Sequence, residues 1–232
     1  MTEAPGAPSL NAMPRSGTSP ARGRRYHHGD LRAALVGTAV ELIGERGVRN
    51  FSMAEASRRL GVAVSAPYAH FADRDALLAA VTVHALETFA SELLPRMDAH
   101  QDPAARLAAM AHAYIRFAAS HPALFEVVYQ VGLDKGRFPE IAAAEQPIND
   151  AFAACVTALS DGHQTEADDL ATAVEATAKG HAMFLLDGDF GPGSAAVDEA
   201  ADRAARATLA LIQGRQALRR SGPEVAAPPH PA

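Results

Sequence analysis

Alanine fills 53 of the 232 positions of this chain, and no other feature narrows its folding options so far. Ala has the highest helix propensity of any residue and little preference for strands. Nearly half of the 48% hydrophobic fraction is therefore a small helix former, while Trp is absent and aromatic residues reach only 6%. No segment shows the strict polar–apolar alternation of a half-buried strand, so the chain reads as all-α. Its length allows one or two domains with a real core.

Apolar spacing divides the chain into about nine helices. Leu31, Leu35, Ala39, Leu42 and Ile43 recur at helical intervals between Asp30 and Arg46, and Gly47 is the stop. Ser52 stands three residues before Glu55, the spacing of a reciprocal capping box, and opens a short helix from about Met53 to Leu60. Gly61 breaks the chain, and Pro67 suits the first turn of a third short helix capped by Ser65 or Ala66. Longer periodic stretches follow at Arg74–Leu94, Pro103–Ser120, Pro122 to about Gly132, Phe138–Leu159, Glu166–Leu186 and Ala195–Leu218. Pro95, Pro103, Pro122, Pro139 and Pro192 are expected where helices start or stop. The proline-bearing segments 1–25 and 219–232 read as a disordered arm ending in basic residues and a disordered tail. No window of 18 residues is both apolar and uncharged, so no membrane span is expected.

Chemistry-bearing patterns are scarce. The single cysteine, Cys155, excludes an internal disulfide framework and a cysteine-only metal cluster, fits a reducing cytoplasm, and reads as a small buried hydrophobe. None of the ten histidines has Asp or Glu three residues before it, and no two lie three or four apart. Helix-borne metal patterns are therefore missing, and neither a metal, a cofactor nor an enzyme activity is expected. Net charge is −6, which taken alone argues against a nucleic-acid partner. The average conceals two halves, however: residues 1–74 carry +4 with ten Arg and no Lys, and residues 75–232 carry −10. A basic head on an acidic body is the charge footprint of a DNA-binding protein.

A short capped helix, a glycine turn and a second short helix form the outline of a helix-turn-helix, whose second helix enters the major groove. The segment RNFSMAEASRRLGVAVSAPYAHFADRDALLAAV, preceded by HHGDLRAALVGTAVELIGERG, resembles the DNA-binding part of the TetR family of bacterial transcription regulators. The family pattern is met at Gly47, Ser52, Glu55, Gly61, Val62, Tyr68, His70, Phe71, Arg74, Leu77 and Leu78 without a gap. It is broken at Ala56, where a larger aliphatic is usual, and at Ala63, where a Ser or Thr usually caps the recognition helix. The resemblance covers residues 28–90 and implies a DNA-binding domain at 26–88, with its motif at 52–71, followed by a ligand-binding and dimerisation domain at 89–218.

Expected DNA contacts follow residue by residue. The Tyr68 phenol and His70 imidazole are expected at phosphate oxygens, where they would fix register, the alternatives being a packed ring and a cap. Ser52 caps its helix and is expected to meet a phosphate there, since helix N-termini attract anions. Val64, Ser65 and Ala66 open the recognition helix and are the candidates for base edges, through one hydroxyl and contacts with thymine methyls. Arg74 is assigned to a phosphate, Phe71 to the core. Arg22, Arg24 and Arg25 are placed in the adjacent minor groove, as flexible basic arms are, the alternative being a solvated tail.

For the body the resemblance implies an unidentified small-molecule effector and a homodimer. FAASHPALFEVVY is similar to the branch whose C-terminal domain carries a Trp-His-Gly signature before Leu-Leu-Asp-Gly; aligned on Leu185–Gly188, those three places hold Glu175, Lys179 and Gly180. Tyr114, Phe117, Phe125, Tyr129, Phe152, Met183 and Phe184 are the candidate pocket residues, with plain core as the alternative. The last two long helices, rich in Ala, are expected to pair between protomers, which implies an inverted-repeat operator. A ligand-responsive repressor is the leading reading. Activation by the same family and an all-α interaction module without DNA binding are the alternatives.

Overall fold

The structure, a computed structural model, describes residues 28–130 and 132–219. The expected arm with Arg22, Arg24 and Arg25 and the expected tail beyond Arg219 lie outside the described residues. Within them the fold is all-α, with eight α-helices and two short 3₁₀ turns. In order these are α1 (His28–Arg46), a 3₁₀ turn (Val48–Asn50), α2 (Met53–Leu60), a 3₁₀ turn (Ala66–Ala69), α3 (Arg74–Asp98), α4 (Pro103–Ser120), α5 (Pro122–Gln130), α6 (Pro139–Leu159), α7 (Gln164–Leu186) and α8 (Ser194–Arg219).

Helix starts follow their caps. The Asp73 carboxylate accepts the Ala76 amide at 2.9 Å to open α3, and the Asp102 carboxylate accepts the Ala105 amide at 3.1 Å to open α4. Two prolines lie inside helices instead of at their ends. α3 runs through Pro95 to Asp98, and α6 runs through Pro147. A proline deprives the carbonyl four residues before it of a partner. Those carbonyls belong to Ser91 and Ala143, both exposed residues where water can take the missing donor's place.

One apolar core runs through the whole molecule. At the N-terminal end Leu35, Ala39, Leu42 and Ile43 of α1 close on Phe51, Ala56, Phe71, Leu77 and Leu78, all buried. The small Ala56 lets α2 lie close against α1, and it is wholly buried. α3 is the spine: its first turns belong to this cluster, and its later residues Phe89, Leu93 and Met97 pack among α4, α5 and α6. By length and composition α3 is apolar enough to cross a bilayer, and half of that stretch is buried inside the molecule. α4 packs on α8, α7, α3 and α6.

α5 ties the two ends together. Its Glu126 carboxylate accepts the Val48 amide at 3.0 Å, and its Ala123 packs against Gly44 of α1. From the α5–α6 loop, Arg137 ion-pairs with Asp73 and lies 3.8 Å from Asp75. The Ala76 amide and the Arg137 guanidinium together hold the Asp73 carboxyl below its usual range.

Candidate nucleic-acid interface

Ser52 sits in extended backbone at the start of α2, and its hydroxyl accepts the Glu55 amide at 3.2 Å. Only this half of the capping box forms. The Glu55 carboxylate turns to Arg58, at 3.1 Å from Nε, and to Arg46 at 3.6 Å. At its other end α2 closes with Gly61 in the left-handed region (φ 68°), its amide donating to Arg58 and the Val62 amide to Ser57. This is the paired 6→1 and 5→2 hydrogen bonding of a Schellman stop, which reverses the chain without a Cβ clash.

After that turn the expected recognition helix is a single 3₁₀ turn. The amides of Ala66, Tyr68 and His70 donate to the carbonyls three residues back, at Ala63, Ser65 and Pro67. Ser65 occupies the cap position, but its hydroxyl makes no capping bond. Two residues explain this. Pro67 has no amide to donate to Ala63, and Ala63 has no side-chain oxygen to hold the first turn. Pro67 and Phe71 are buried beneath the turn, and Val64 and Tyr68 stand out from it at 53% and 57% exposure. Ser65 is exposed, while Ala66 and His70 are partly covered. The result is a short ledge with a phenol and a hydroxyl directed outward on an apolar footing.

Arg74 is placed differently from expectation. Its guanidinium donates to the carbonyls of Phe51 at 3.2 Å and Val48 at 2.6 Å, and lies 3.8 Å from Asp75. It is a bracket that fastens the segment before α2 to the start of α3. Other head arginines also have partners: Arg59 donates to both Glu45 oxygens, at 2.5 and 2.8 Å, holding that carboxyl below its usual range. Arg32 and Arg49 have no carboxylate partner among the described residues. Arg32 stacks over the Phe71 ring at 5.1 Å, bringing the first turns of α1 beside the ledge, and Arg49 lies exposed three residues before Ser52. Both were passed over in the sequence reading, although Arg49 stands next to the capped helix start.

In the body, Tyr114, Phe117, Phe125, Tyr129 and Phe152 gather around two adjoining clefts of about 190 and 230 Å³. Phe125 and Tyr129 contact at 4.6 Å between ring centres, and Tyr114 meets both edge-on. Burial, and next to it the Tyr129 phenol, push the Tyr114 hydroxyl far above its usual range, so it stays a neutral donor. Met183 and Phe184 do not join this group. They are 47% and 55% exposed, and Phe184 lines an open groove between α7 and α8 with Gly180, Ala207, Ala210 and Gly214. The helical period carries them to the outer face of α7, opposite Val174 and Ala178.

Residues 35–81 match the family model described as bacterial regulatory proteins of the tetR family. Residues 107–208 match the model described as a tetracyclin repressor-like C-terminal domain, and together the two matches cover more than half of the chain. No curated protein matches. Among solved structures, a protein of unknown function from Rhodococcus sp. RHA1 is 28% identical, with a TM-score of 0.64 over 81% of this chain and 97% of its own. A TetR-like transcriptional regulator from the same organism is 18% identical, with a TM-score of 0.61 over 82% and 100%. RolR in complex with resorcinol is 21% identical, with a TM-score of 0.52 over 82% and 93%. A helix-turn-helix head and a helical body, each matched by the corresponding family model, place this chain in the TetR family of DNA-binding transcription regulators.

Proposed function

We propose that this regulator is a homodimeric repressor that leaves an inverted-repeat operator when a small molecule enters its body. In this reading residues 26–88 form the DNA-binding head and residues 89–218 the effector and dimer domain, of the branch in which Gly180 keeps one residue of the Trp-His-Gly signature. The observation that carries the reading is the ledge after Gly61, where Tyr68 is held 57% exposed above buried Pro67 and Phe71. An aromatic side chain that size would ordinarily be packed, and its hydroxyl has the reach and polarity for a phosphate. Ser52 and His70 join it as phosphate contacts. Val64, Ser65 and Ala66 face bases, Arg24 and Arg25 of the arm enter the minor groove, and Arg74 supports the backbone they stand on.

The α7–α8 groove supports the dimer. Phe184 is exposed there among Gly and Ala that let a second pair of helices come close, and Met183 and Leu186 are exposed near it on α7. A twofold axis through this face would set two heads roughly one DNA turn apart, about 34 to 36 Å. The aromatic clefts support the effector, as does the resorcinol held by RolR. No catalytic role is assigned, and the cytoplasm is the expected compartment.

Fluorescence anisotropy with labelled duplexes from upstream of the protein's own gene tests the proposal. Binding should favour an inverted repeat over random duplex and weaken steeply with salt. Equal affinity for both duplexes would overturn it.

A further inference from the structure

The two clefts share Phe89, Tyr114, Tyr129, Ile148 and Asn149, so they are lobes of one site. We infer that this site takes a small uncharged aromatic molecule bearing a hydrogen-bonding group, an inference that rests on the body being the effector domain. Size is the first argument. An apolar cavity of roughly 150 Å³ admits benzene, and lobes of about 190 and 230 Å³ admit one ring each with its substituents.

Shape and surface are the second. Phe89 meets Tyr114 edge-on at 5.9 Å and Phe117 tilted at 4.9 Å, so the packed rings present a mix of faces and edges to the adjoining space. Aromatic guests gain from offset and edge-on contacts of this kind.

Charge is the third, and it decides between ligand classes. Two carboxylates border the site, Glu145 and Glu175. The Lys135 ammonium bonds Glu145 at 2.5 Å. Lys179, one turn after Glu175 on α7, lies over the Tyr129 ring at 4.9 Å and so stands at the same mouth. The two acids and the two lysines thus balance in sign, so the site presents no net counter-charge to an anion or a cation. A charged guest would lose its water without an ion pair in return. Asn149 at the exposed rim offers a donor and an acceptor to a hydroxyl or amide, and the Tyr114 hydroxyl, whose proton is given to the Tyr129 phenol, offers an acceptor inside.

Calorimetric titration of the full chain with phenol, benzoate and benzyltrimethylammonium, without DNA, tests the inference. Phenol should bind at least tenfold tighter than either ion. Lys179→Gln, an exposed substitution that leaves the Glu175 charge in excess at the mouth, should raise affinity for the cation severalfold and leave phenol within about twofold. Asn149→Leu should weaken phenol and not toluene. Wild-type affinity for either ion equal to that for phenol, or no change in cation affinity with Lys179→Gln, would overturn it. The readout is independent of operator release. Phenol that binds without freeing DNA contradicts the effector reading and supports this one; an operator released only by charged compounds, with phenol unbound, does the reverse.

Discussion

Tyr68 and Arg74 show how far residue type predicts residue role. Both belong to the family pattern, yet Tyr68 stands exposed while the Arg74 guanidinium is spent on the carbonyls of Val48 and Phe51. A sequence shows that an arginine is present near a helix start; it does not show that two carbonyls lie within its reach, because those come from residues 23 and 26 positions away. Tyr68→Ala should weaken operator binding by about 1 kcal/mol, a factor of roughly five. The loss should be the same across operator variants, and the melting temperature should hold, since an exposed ring gives little to the core. A loss confined to one base pair would assign Tyr68 to base reading instead.

At the scale of elements, capping signals were legible where they are local. Ser52 and Gly61 act within three or four residues, and α2 starts and stops as their types dictate. The recognition element was expected as a helix and is a 3₁₀ turn, because Pro67 and Ala63 each withhold one group the first turn needs. Pro95 was expected at a helix end, but tertiary packing of Leu93 and Met97 carries α3 past it. The two kinds of glycine separate cleanly. Gly61 has φ 68° and open space around its missing Cβ, so Gly61→Ala should cost about 1 kcal/mol from backbone strain alone. Gly37, exposed inside α1 with equally open space and no positive φ, should gain about 0.5 kcal/mol or more on change to Ala. Urea unfolding midpoints of the two variants, moving in opposite directions, check both.

At the scale of the molecule, the α7–α8 face is tested by Phe184→Glu. A charge planted in that groove should leave the fold intact and shift the protein toward a monomer of 24.3 kDa in sedimentation. A variant that sediments as wild type would overturn the proposed dimer contact at this face. His112, between α4 and α8 and 3.7 Å from Asp202, supplies the pH dependence. Burial, then the neighbouring Arg116, push its imidazole below the usual 6.5. The unfolded chain therefore takes up the proton first, so this stability is complete above the ordinary histidine range and is lost as pH falls toward the folded value. Melting temperature should drop as pH falls below about 6.5, and drop less in His112→Gln.

The sequence by itself determined the helical class, the segment boundaries near local caps, and the family, because propensity, periodicity and the glycine–serine–tyrosine spacing all act over a few residues. It also separated a basic first third from an acidic remainder, although most described head arginines are matched by carboxylates or carbonyls. Tertiary structure alone decided which aromatics share a cleft and which face outward. Tyr114, Tyr129 and Phe152 meet from three helices, whereas Phe184, of the same chemistry and on a helix of the same pattern, points to the other side. Which side a helix turns to its neighbours is settled by the sum of many weak contacts with distant segments, and no local stretch of sequence contains that sum.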